Sequence, residues 1–114
     1  MSFVRACAVA DVAPGTAIAV ELDAPSGNPV AVVRDGDDFY AVDDECSHAS
    51  IPLSEGEVEG CEIECWLHGS RFDLRTGKPT GLPATEPVAT FPIEVKGDDI
   101  YVDTTTTLNG VTPS

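Results

Sequence analysis

The segment "DECSHASIPLSEGEVEGCEIECWLHGSRFD", residues 44–73, holds both histidines of the chain and three of its four cysteines. Within it, Cys46 and His48 form a C-x-H pair. After sixteen further residues, Cys65 and His68 form a C-x-x-H pair. Each pair supplies one thiolate and one imidazole, and both are common metal ligands. The spacing therefore marks this segment as a candidate metal site.

The spacing alone leaves three interpretations of these four residues open. They could be buried thiols and surface imidazoles that never meet. They could hold zinc, although zinc fingers usually keep the cysteines in one arm and the histidines in the other. Mixed arms instead suit a binuclear centre, in which one iron takes a cysteine from each arm and the other iron takes a histidine from each arm.

The composition limits the classes of function. The 114 residues suffice for one compact domain. The net charge of −14, from 20 acidic and 6 basic residues, argues against nucleic acid as a partner. No apolar run approaches the roughly 20 residues of a membrane span, and the N-terminus does not read as a secretory signal. We expect a soluble, cytoplasmic monomer whose thiols stay reduced.

The rest of the chain indicates short strands and turns. "PVAVVRDGDDFYAV" and "FPIEVKGDDIYVD" each predict a hairpin, around Gly36 and Gly97 respectively. Further strands are expected in "FVRACAV", "AIAVEL", "EIECW" and "SRFDL". No window keeps a long period of 3.6 residues, so the sequence predicts an all-β fold. Residues 105–114 are expected to form a flexible tail behind one domain, residues 1–104.

The motifs "CSH", "CWLHGSRFD", "RTGKP" and "GLPAT" together resemble the Rieske ferredoxin family, over nearly the whole chain except the threonine-rich tail. The resemblance implies a Rieske fold, an antiparallel β-sandwich with an inserted cluster-binding subdomain at about residues 43–86. It also implies one [2Fe–2S] cluster per subunit. Cys46 and Cys65 would bind one iron, and His48 and His68 the other.

Other residues of the insertion fit around such a cluster. Gly69 would allow close approach of the backbone because it has no Cβ. Ser70 would reach a bridging sulfide, and Trp66 and Leu67 would shield the cluster from water, unless Trp66 is a docking aromatic. Pro83 and its Gly and Pro neighbours would cover one side, or form an ordinary surface turn. Of the two remaining cysteines, Cys7 is expected to be a buried thiol and Cys61 a plain loop thiol, rather than a disulfide pair.

The sequence departs from two branches of the family. High-potential members carry a linking disulfide between positions that are Ile51 and Leu67 here, and a tyrosine where this chain has Phe72. Ring-hydroxylating oxygenases add a mononuclear iron site with two histidine ligands. His48 and His68 are already assigned to the cluster, so this chain cannot host that iron.

The resemblance implies a one-electron carrier with no substrate-converting site of its own. It would pass electrons from an NAD(P)H-dependent ferredoxin reductase to the terminal oxygenase of an aromatic-ring dioxygenase system. The chain lacks a G-x-G-x-x-G motif for a nicotinamide or flavin cofactor, so the reductase must be a separate protein. The alternatives are an accessory Rieske protein of iron–sulfur cluster assembly, a nitrite-reductase-type small subunit, or a structural zinc domain.

Overall fold

The computed structural model describes residues 3–22, 29–44, 52–65, 70–80 and 86–110. Within these ranges the chain forms ten strands and two short 3-10 helices, at Val9–Asp11 and Leu53–Glu55. The strands are β1 (Val4–Ala8), β2 (Thr16–Val20), β3 (Val30–Asp35), β4 (Asp38–Asp43), β5 (Val58–Glu59), β6 (Glu62–Glu64), β7 (Arg71–Asp73), β8 (Thr90–Phe91), β9 (Ile93–Lys96) and β10 (Asp99–Val102). The all-β prediction is confirmed.

The strands form three antiparallel sheets, with orders β1-β10-β9, β2-β3-β4-β8 and β5-β6-β7. The four-stranded sheet contributes side chains to two separate cores. One core lies against the β1-β10-β9 sheet and includes Ile100 and Val102, whereas the other lies against the β5-β6-β7 sheet and includes Ile63 and Phe72. The four-stranded sheet is therefore the middle layer of the molecule.

The position of this sheet explains the unbroken apolar run at the start of β3. Val30 and Val32 point into one core, and Ala31 and Val33 point into the other. All four side chains are fully buried. A strand covered on both faces has no solvent side and needs no polar alternation.

Tight turns join the predicted hairpins. The β3–β4 hairpin closes where Asp35 pairs with Asp38, and the β9–β10 hairpin closes where Lys96 pairs with Asp99. Gly36 and Gly97 occupy these turns with φ of 63° and 61°. Left-handed backbone of this kind is available to glycine at little cost, which is why the sequence predicts both turns.

The β5-β6-β7 sheet belongs to the predicted insertion. Its inward side chains Val58, Ile63 and Phe72 pack with Ala31 and Val33 of the middle sheet. Apolar burial therefore attaches the insertion to the rest of the domain. The sandwich with an inserted subdomain is confirmed, while the bounds 43–86 stay a prediction.

The segment after β10 packs on the body of the domain. Asp103 and Thr104 are buried, and the Leu108 N–H donates a hydrogen bond of 2.8 Å to the Thr90 carbonyl. Residues 111–114 lie outside the described ranges. The flexible tail from residue 105 stays a prediction, but residues 108 and 109 have defined partners on β8. Among the described residues, no helix is long and apolar enough to cross a bilayer.

Candidate metal centre

The β6–β7 hairpin carries Cys65 at the end where the two strands are connected. Ile63 pairs with Phe72 and Glu64 pairs with Arg71 in the ladder. One step further along, the Cys65 N–H donates a hydrogen bond of 2.6 Å to the Ser70 carbonyl. Cys65 and Ser70 are both fully buried. The hairpin therefore holds the two ends of segment 66–69 side by side.

A buried carboxylate links the two ends of segment 45–51, which includes the candidate ligands Cys46 and His48. Asp44 lies directly after β4 and is only 6% exposed. Its carboxylate accepts hydrogen bonds from the Ser54 backbone N–H at 2.7 Å and from the Ser54 hydroxyl at 2.9 Å. Burial raises the pKa of the Asp44 carboxyl, while the hydrogen bonds from Ser54 act in the opposite direction. The chain thus returns beside Asp44 after segment 45–51.

A glycine allows the chain ends of these two candidate ligand segments to lie side by side. A Cβ built on Gly56 would lie 1.6 Å from the Glu64 carbonyl oxygen. The Glu64 N–H also donates a hydrogen bond of 2.8 Å to the Glu57 carbonyl. Glu64 immediately precedes Cys65, and Gly56 follows Ser54 by two residues. The segment that Asp44 holds therefore lies against the strand that leads to Cys65.

A third segment lies along β7. Phe72 forms an isolated antiparallel bridge with Pro79. The Asp73 N–H donates to the Lys78 carbonyl at 2.8 Å, and the Thr80 N–H donates to the Arg71 carbonyl at 2.7 Å. Residues 78–80 therefore continue the sheet on the far side of β7, next to the hairpin that carries Cys65.

Cys61 is more constrained than a plain loop cysteine. Gly60 and Cys61 form the β5–β6 turn with φ of 60° and 63°, and a left-handed backbone is uncommon for cysteine. The Cys61 N–H donates to the Asp35 carboxylate at 2.8 Å, and the Cys61 thiol and the Tyr40 hydroxyl share a hydrogen bond of 3.3 Å. These contacts hold the turn in place, and they depend on tertiary structure that a sequence pattern does not reveal.

The other thiols agree with expectation. Cys7 is 6% exposed and packs in the core opposite to the one that Cys61 contacts. Burial raises the pKa of the Cys7 thiol. Cys7, Cys61 and Cys65 are all free. Cys7 and Cys61 lie against different cores, and no disulfide joins them in this structure.

The structure places only part of the predicted site. Cys65 and Ser70 are described, and they meet at the end of the β6–β7 hairpin. The other predicted site residues lie outside the described ranges: Cys46, His48, Trp66, Leu67, His68, Gly69 and Pro83. Within the described ranges, no group of three or more candidate metal ligands occurs. The described residues therefore bring together the chain ends from which the two ligand segments start. The full ligand set stays a prediction.

The outer face of the β5-β6-β7 sheet is acidic. Because Val58, Ile63 and Phe72 point inward, the residues that alternate with them point outward. We call this surface the outer acidic face; its members are Glu57, Glu59, Glu62, Glu64, Arg71 and Asp73. Arg71 Nε lies 3.7 Å from Glu62 Oε1 and 3.6 Å from Glu64 Oε2. Glu59 faces Glu62 directly across the ladder, an arrangement of like charges that is unfavourable in isolation.

The family follows from a comparison of the whole domain. Residues 2–92 match the model of the Rieske [2Fe–2S] domain. The chain belongs to the Rieske family. Its donor set fits the cluster of that family, because two cysteines and two histidines are what a Rieske centre requires. The complete burial of Cys65 also suits a thiolate kept from water. The Rieske chain thus carries a [2Fe–2S] cluster.

Relatives narrow the class to ferredoxins. The Rieske chain is 41% identical over 104 residues to the 3-phenylpropionate/cinnamic acid dioxygenase ferredoxin subunit of Shigella flexneri, covering 90% of this chain and 94% of the relative. It matches the ferredoxin of carbazole 1,9a-dioxygenase from Nocardioides aromaticivorans with a TM-score of 0.81 and 42% identity, covering 90% of this chain and 97% of the other.

A second solved structure shows such a ferredoxin with its partner. It is a complex of reduced oxygenase and oxidised ferredoxin in carbazole 1,9a-dioxygenase. The match has a TM-score of 0.80 and 40% identity, and covers 90% of this chain and 93% of that one. The Rieske chain is therefore a ferredoxin-type electron carrier.

Some residues that build the site give no signal at the sequence level. Asp44 and Ser54 are ten residues apart and meet only because the chain folds back. Gly56 reads as an ordinary turn glycine, although its role is to admit the Glu64 carbonyl. The position of Asp44 beside the C-x-H pair is the one feature that could have drawn attention to it.

Proposed function

We propose that Cys46 and Cys65 bind one iron of the cluster and that His48 and His68 bind the other. The observation that carries this proposal is the contact of Gly56 with Glu64, which sets the base of the Cys46–His48 segment beside the strand leading to Cys65. Two ligand arms that start from neighbouring bases can reach one binuclear centre. A zinc site of the same four residues is the competing outcome of the test below.

The described residues have three tasks around the centre. The Cys65 N–H, bonded to Ser70, fixes the backbone from which the thiolate projects. Ile63 and Phe72 are fully buried in the core that includes Cys65 and exclude water from that side. Asp44 holds the base of the other segment through Ser54. The cluster supplies the capacity to take up and release one electron.

We further propose that the chain receives electrons from an NAD(P)H-dependent reductase and delivers them to the terminal oxygenase of a ring-hydroxylating dioxygenase. The ferredoxins of such systems support this, since they align with the present chain over 94% and 97% of their own lengths. We propose that it acts as a monomer in the cytoplasm, where its free thiols stay reduced.

The outer acidic face gives the proposal an electrostatic element. Its carboxylates lie on the sheet whose hairpin carries Cys65, so a partner with basic residues would be drawn toward the cluster end of the molecule. Complementary charge raises the rate of encounter more than it raises affinity. We therefore propose that the oxygenase or the reductase presents a basic surface to this face.

The ligand assignment is tested with single variants purified without added metal. Cys46→Ser, Cys65→Ser, His48→Ala and His68→Ala should each lose the visible absorption of the iron–sulfur cluster or hold it weakly. Cys7→Ser and Cys61→Ser are matched controls that should keep the spectrum. A colourless wild-type protein that binds zinc, or loss of the cluster in Cys61→Ser with retention in His48→Ala, would contradict the assignment.

The partner assignment is tested by mixing the purified holo-protein with candidate acceptor proteins. Reduced holo-protein is mixed rapidly with an oxidised ring-hydroxylating oxygenase, and reoxidation of the cluster is followed by absorbance. Electron transfer within a productive complex should be fast and should saturate with oxygenase concentration. Failure with oxygenases, combined with reduction of a nitrite reductase or of cluster-assembly proteins, would replace this partner with one of the other Rieske roles.

A further inference from the structure

The side chain of Asn109 makes three hydrogen bonds to backbone groups of other segments. Its Nδ2 donates to the Thr76 carbonyl at 2.8 Å and to the Val88 carbonyl at 2.8 Å. Its Oδ1 accepts from the Thr90 N–H at 3.3 Å. One amide thus links the C-terminal segment to two stretches of chain that lie before and after segment 78–87.

Gly77 makes this arrangement possible. Its φ of +75° is left-handed, and a Cβ at this position would lie 2.1 Å from the Val88 carbonyl oxygen and 2.6 Å from Asn109 Nδ2. The Val88 N–H donates to the Gly77 carbonyl at 2.9 Å. Three segments therefore meet at one point where only glycine fits, and Asn109 supplies the polar link between them.

This junction lies at the root of the segment that covers β7. Residues 78–80 follow Gly77 directly and pair with β7 through the bonds from Asp73 to Lys78 and from Thr80 to Arg71. β7 begins immediately after Ser70, whose carbonyl accepts the Cys65 N–H. Asn109 thus fixes the start of a layer that lies beside the hairpin of Cys65.

We propose that Asn109 is a positioning residue for the cluster. By joining both ends of segment 78–87, it keeps residues 78–80 on β7 and water away from the buried side of the hairpin. Without it, residues 78–80 separate from β7 more often and water reaches the environment of Cys65. Water favours the more negatively charged reduced state, so the midpoint potential rises. This inference rests on the proposed role of Cys65 as a ligand.

The test uses holo-protein of two variants, Asn109→Ala and Asn109→Leu. Leucine has the same branched arrangement of four side-chain heavy atoms as asparagine but cannot hydrogen-bond, so the pair separates lost hydrogen bonds from lost volume. We expect an upward shift of the midpoint in both variants. Peptides that contain Thr80 and Val88 should exchange amide hydrogen at least about tenfold faster, since the hydrogen bonds of the Asn109 side chain are removed.

Two controls distinguish positioning from general stability. Thr106→Ala changes an exposed residue of the same C-terminal segment and should alter neither readout. Ile100→Val removes one methylene from the core opposite to the one that holds Cys65. It should lower the melting temperature by an amount typical of such changes while leaving the midpoint at the wild-type value.

Each outcome decides the proposal. A wild-type midpoint in both Asn109 variants, or an equal shift in Ile100→Val, would overturn it. Unchanged exchange at Thr80 in Asn109→Ala would overturn it without reference to the redox centre. A wrong ligand assignment is recognised separately, because Cys65→Ser would then retain its cluster. The Asn109 variants keep their cluster whether or not the ligand assignment is correct.

Discussion

The buried carboxylate of Asp44 receives two hydrogen bonds from a single residue, Ser54, at 2.7 Å and 2.9 Å. One comes from the backbone and one from the side chain, so the serine is fixed in both position and rotamer. The Asp44–Ser54 pair joins the two sides of segment 45–51 just after the end of β4. A displacement of Ser54 would therefore move Asp44, from which the segment with Cys46 and His48 starts.

We expect Ser54→Ala to lower the free energy of unfolding by about 1.5–3 kcal/mol, the range for a hydrogen bond to a charged group. Asp44→Ala should cost more, because it removes the acceptor of both the partly buried Ser54 N–H and the Ser54 hydroxyl. Urea denaturation of the two single variants and the double variant forms a thermodynamic cycle. The pair should couple by more than about 0.5 kcal/mol. If the changes in the free energy of unfolding of the two single variants add up to that of the double variant, the Asp44–Ser54 interaction contributes nothing to stability.

Substitution of alanine for Gly56 and for Gly60 should have different effects on iron content, because the two glycines are needed for different reasons. Gly56 has an ordinary φ of −85°, but a Cβ there would collide with the Glu64 carbonyl. Gly60 has a φ of +60° and open space around it. Gly56→Ala should therefore cost about 1–3 kcal/mol by overpacking and lower the iron content. Gly60→Ala should cost about 1 kcal/mol and retain full iron. Equal iron content in both variants would contradict this account of Gly56.

Tyr40 gives the molecule an alkaline pH dependence. Its hydrogen bond with Cys61, followed by burial, raises the pKa of Tyr40 from its ordinary value of about 10 to about 12. The folded protein then holds this proton more tightly than the unfolded chain. The resulting stabilisation is complete below about pH 10 and is lost as the pH rises toward 12.

A Tyr101→Phe background isolates Tyr40, because the chain has only two tyrosines. Phenolate absorbance should show Tyr40 ionising nearer its ordinary pKa once Cys61→Ala removes the thiol partner. A titration that is identical with and without Cys61 would refute the link.

The midpoint potential should lie in the lower part of the Rieske range, at about −150 to 0 mV. The linking disulfide is absent, Phe72 offers no hydroxyl to a cysteine sulfur, and the net charge of −14 opposes reduction. Protein film voltammetry should show a lower midpoint for Ser70→Ala and a higher one for Phe72→Tyr. Phe91→Tyr is the matched control, since Phe91 is equally buried but lies in the other core. A wild-type midpoint well above about +100 mV would contradict the assignment.

Electron transfer to a basic partner should slow as salt rises, because exposed charges are screened over about 8–10 Å near physiological ionic strength. Glu57→Gln and Glu59→Gln should reduce the rate at low salt and flatten its salt dependence. Glu94→Gln removes the same charge from β9, in the sheet on the opposite side of the molecule, and should leave the rate unchanged. Rates that are indifferent to salt in the wild type would remove electrostatic steering from the mechanism.

Local signals in the sequence predict the strands and turns well. The glycines at 36 and 97 mark two hairpins because the turns need a left-handed residue. The paired Cys and His residues mark the Rieske family, which the comparison confirms. The two-residue strands β5 and β8 were not predicted, since runs this short carry no periodicity.

Contacts between distant segments could not be predicted. The bond from Asn109 to Thr76 spans 33 residues, and the bond from Cys61 to Asp35 spans 26. Each needs the fold before the two residues can meet. The Asn109 side chain donates to backbone carbonyls, which have no sequence signature, so its contacts with Thr76 and Val88 give no sign in the sequence.

Among the described residues, the two cores meet at the middle sheet and at Val88 and Ala89, which directly precede β8. β3 and β4 send alternate side chains to each core. We expect loss of iron to loosen the core that includes Cys65 before it loosens the core around Ile100 and Val102. Loss of iron would then leave a partly ordered remnant, rather than a random chain, onto which the other half can refold. We expect this remnant to ease the rebinding of iron, because β3 and β4 would keep their contacts with the core around Ile100 and Val102.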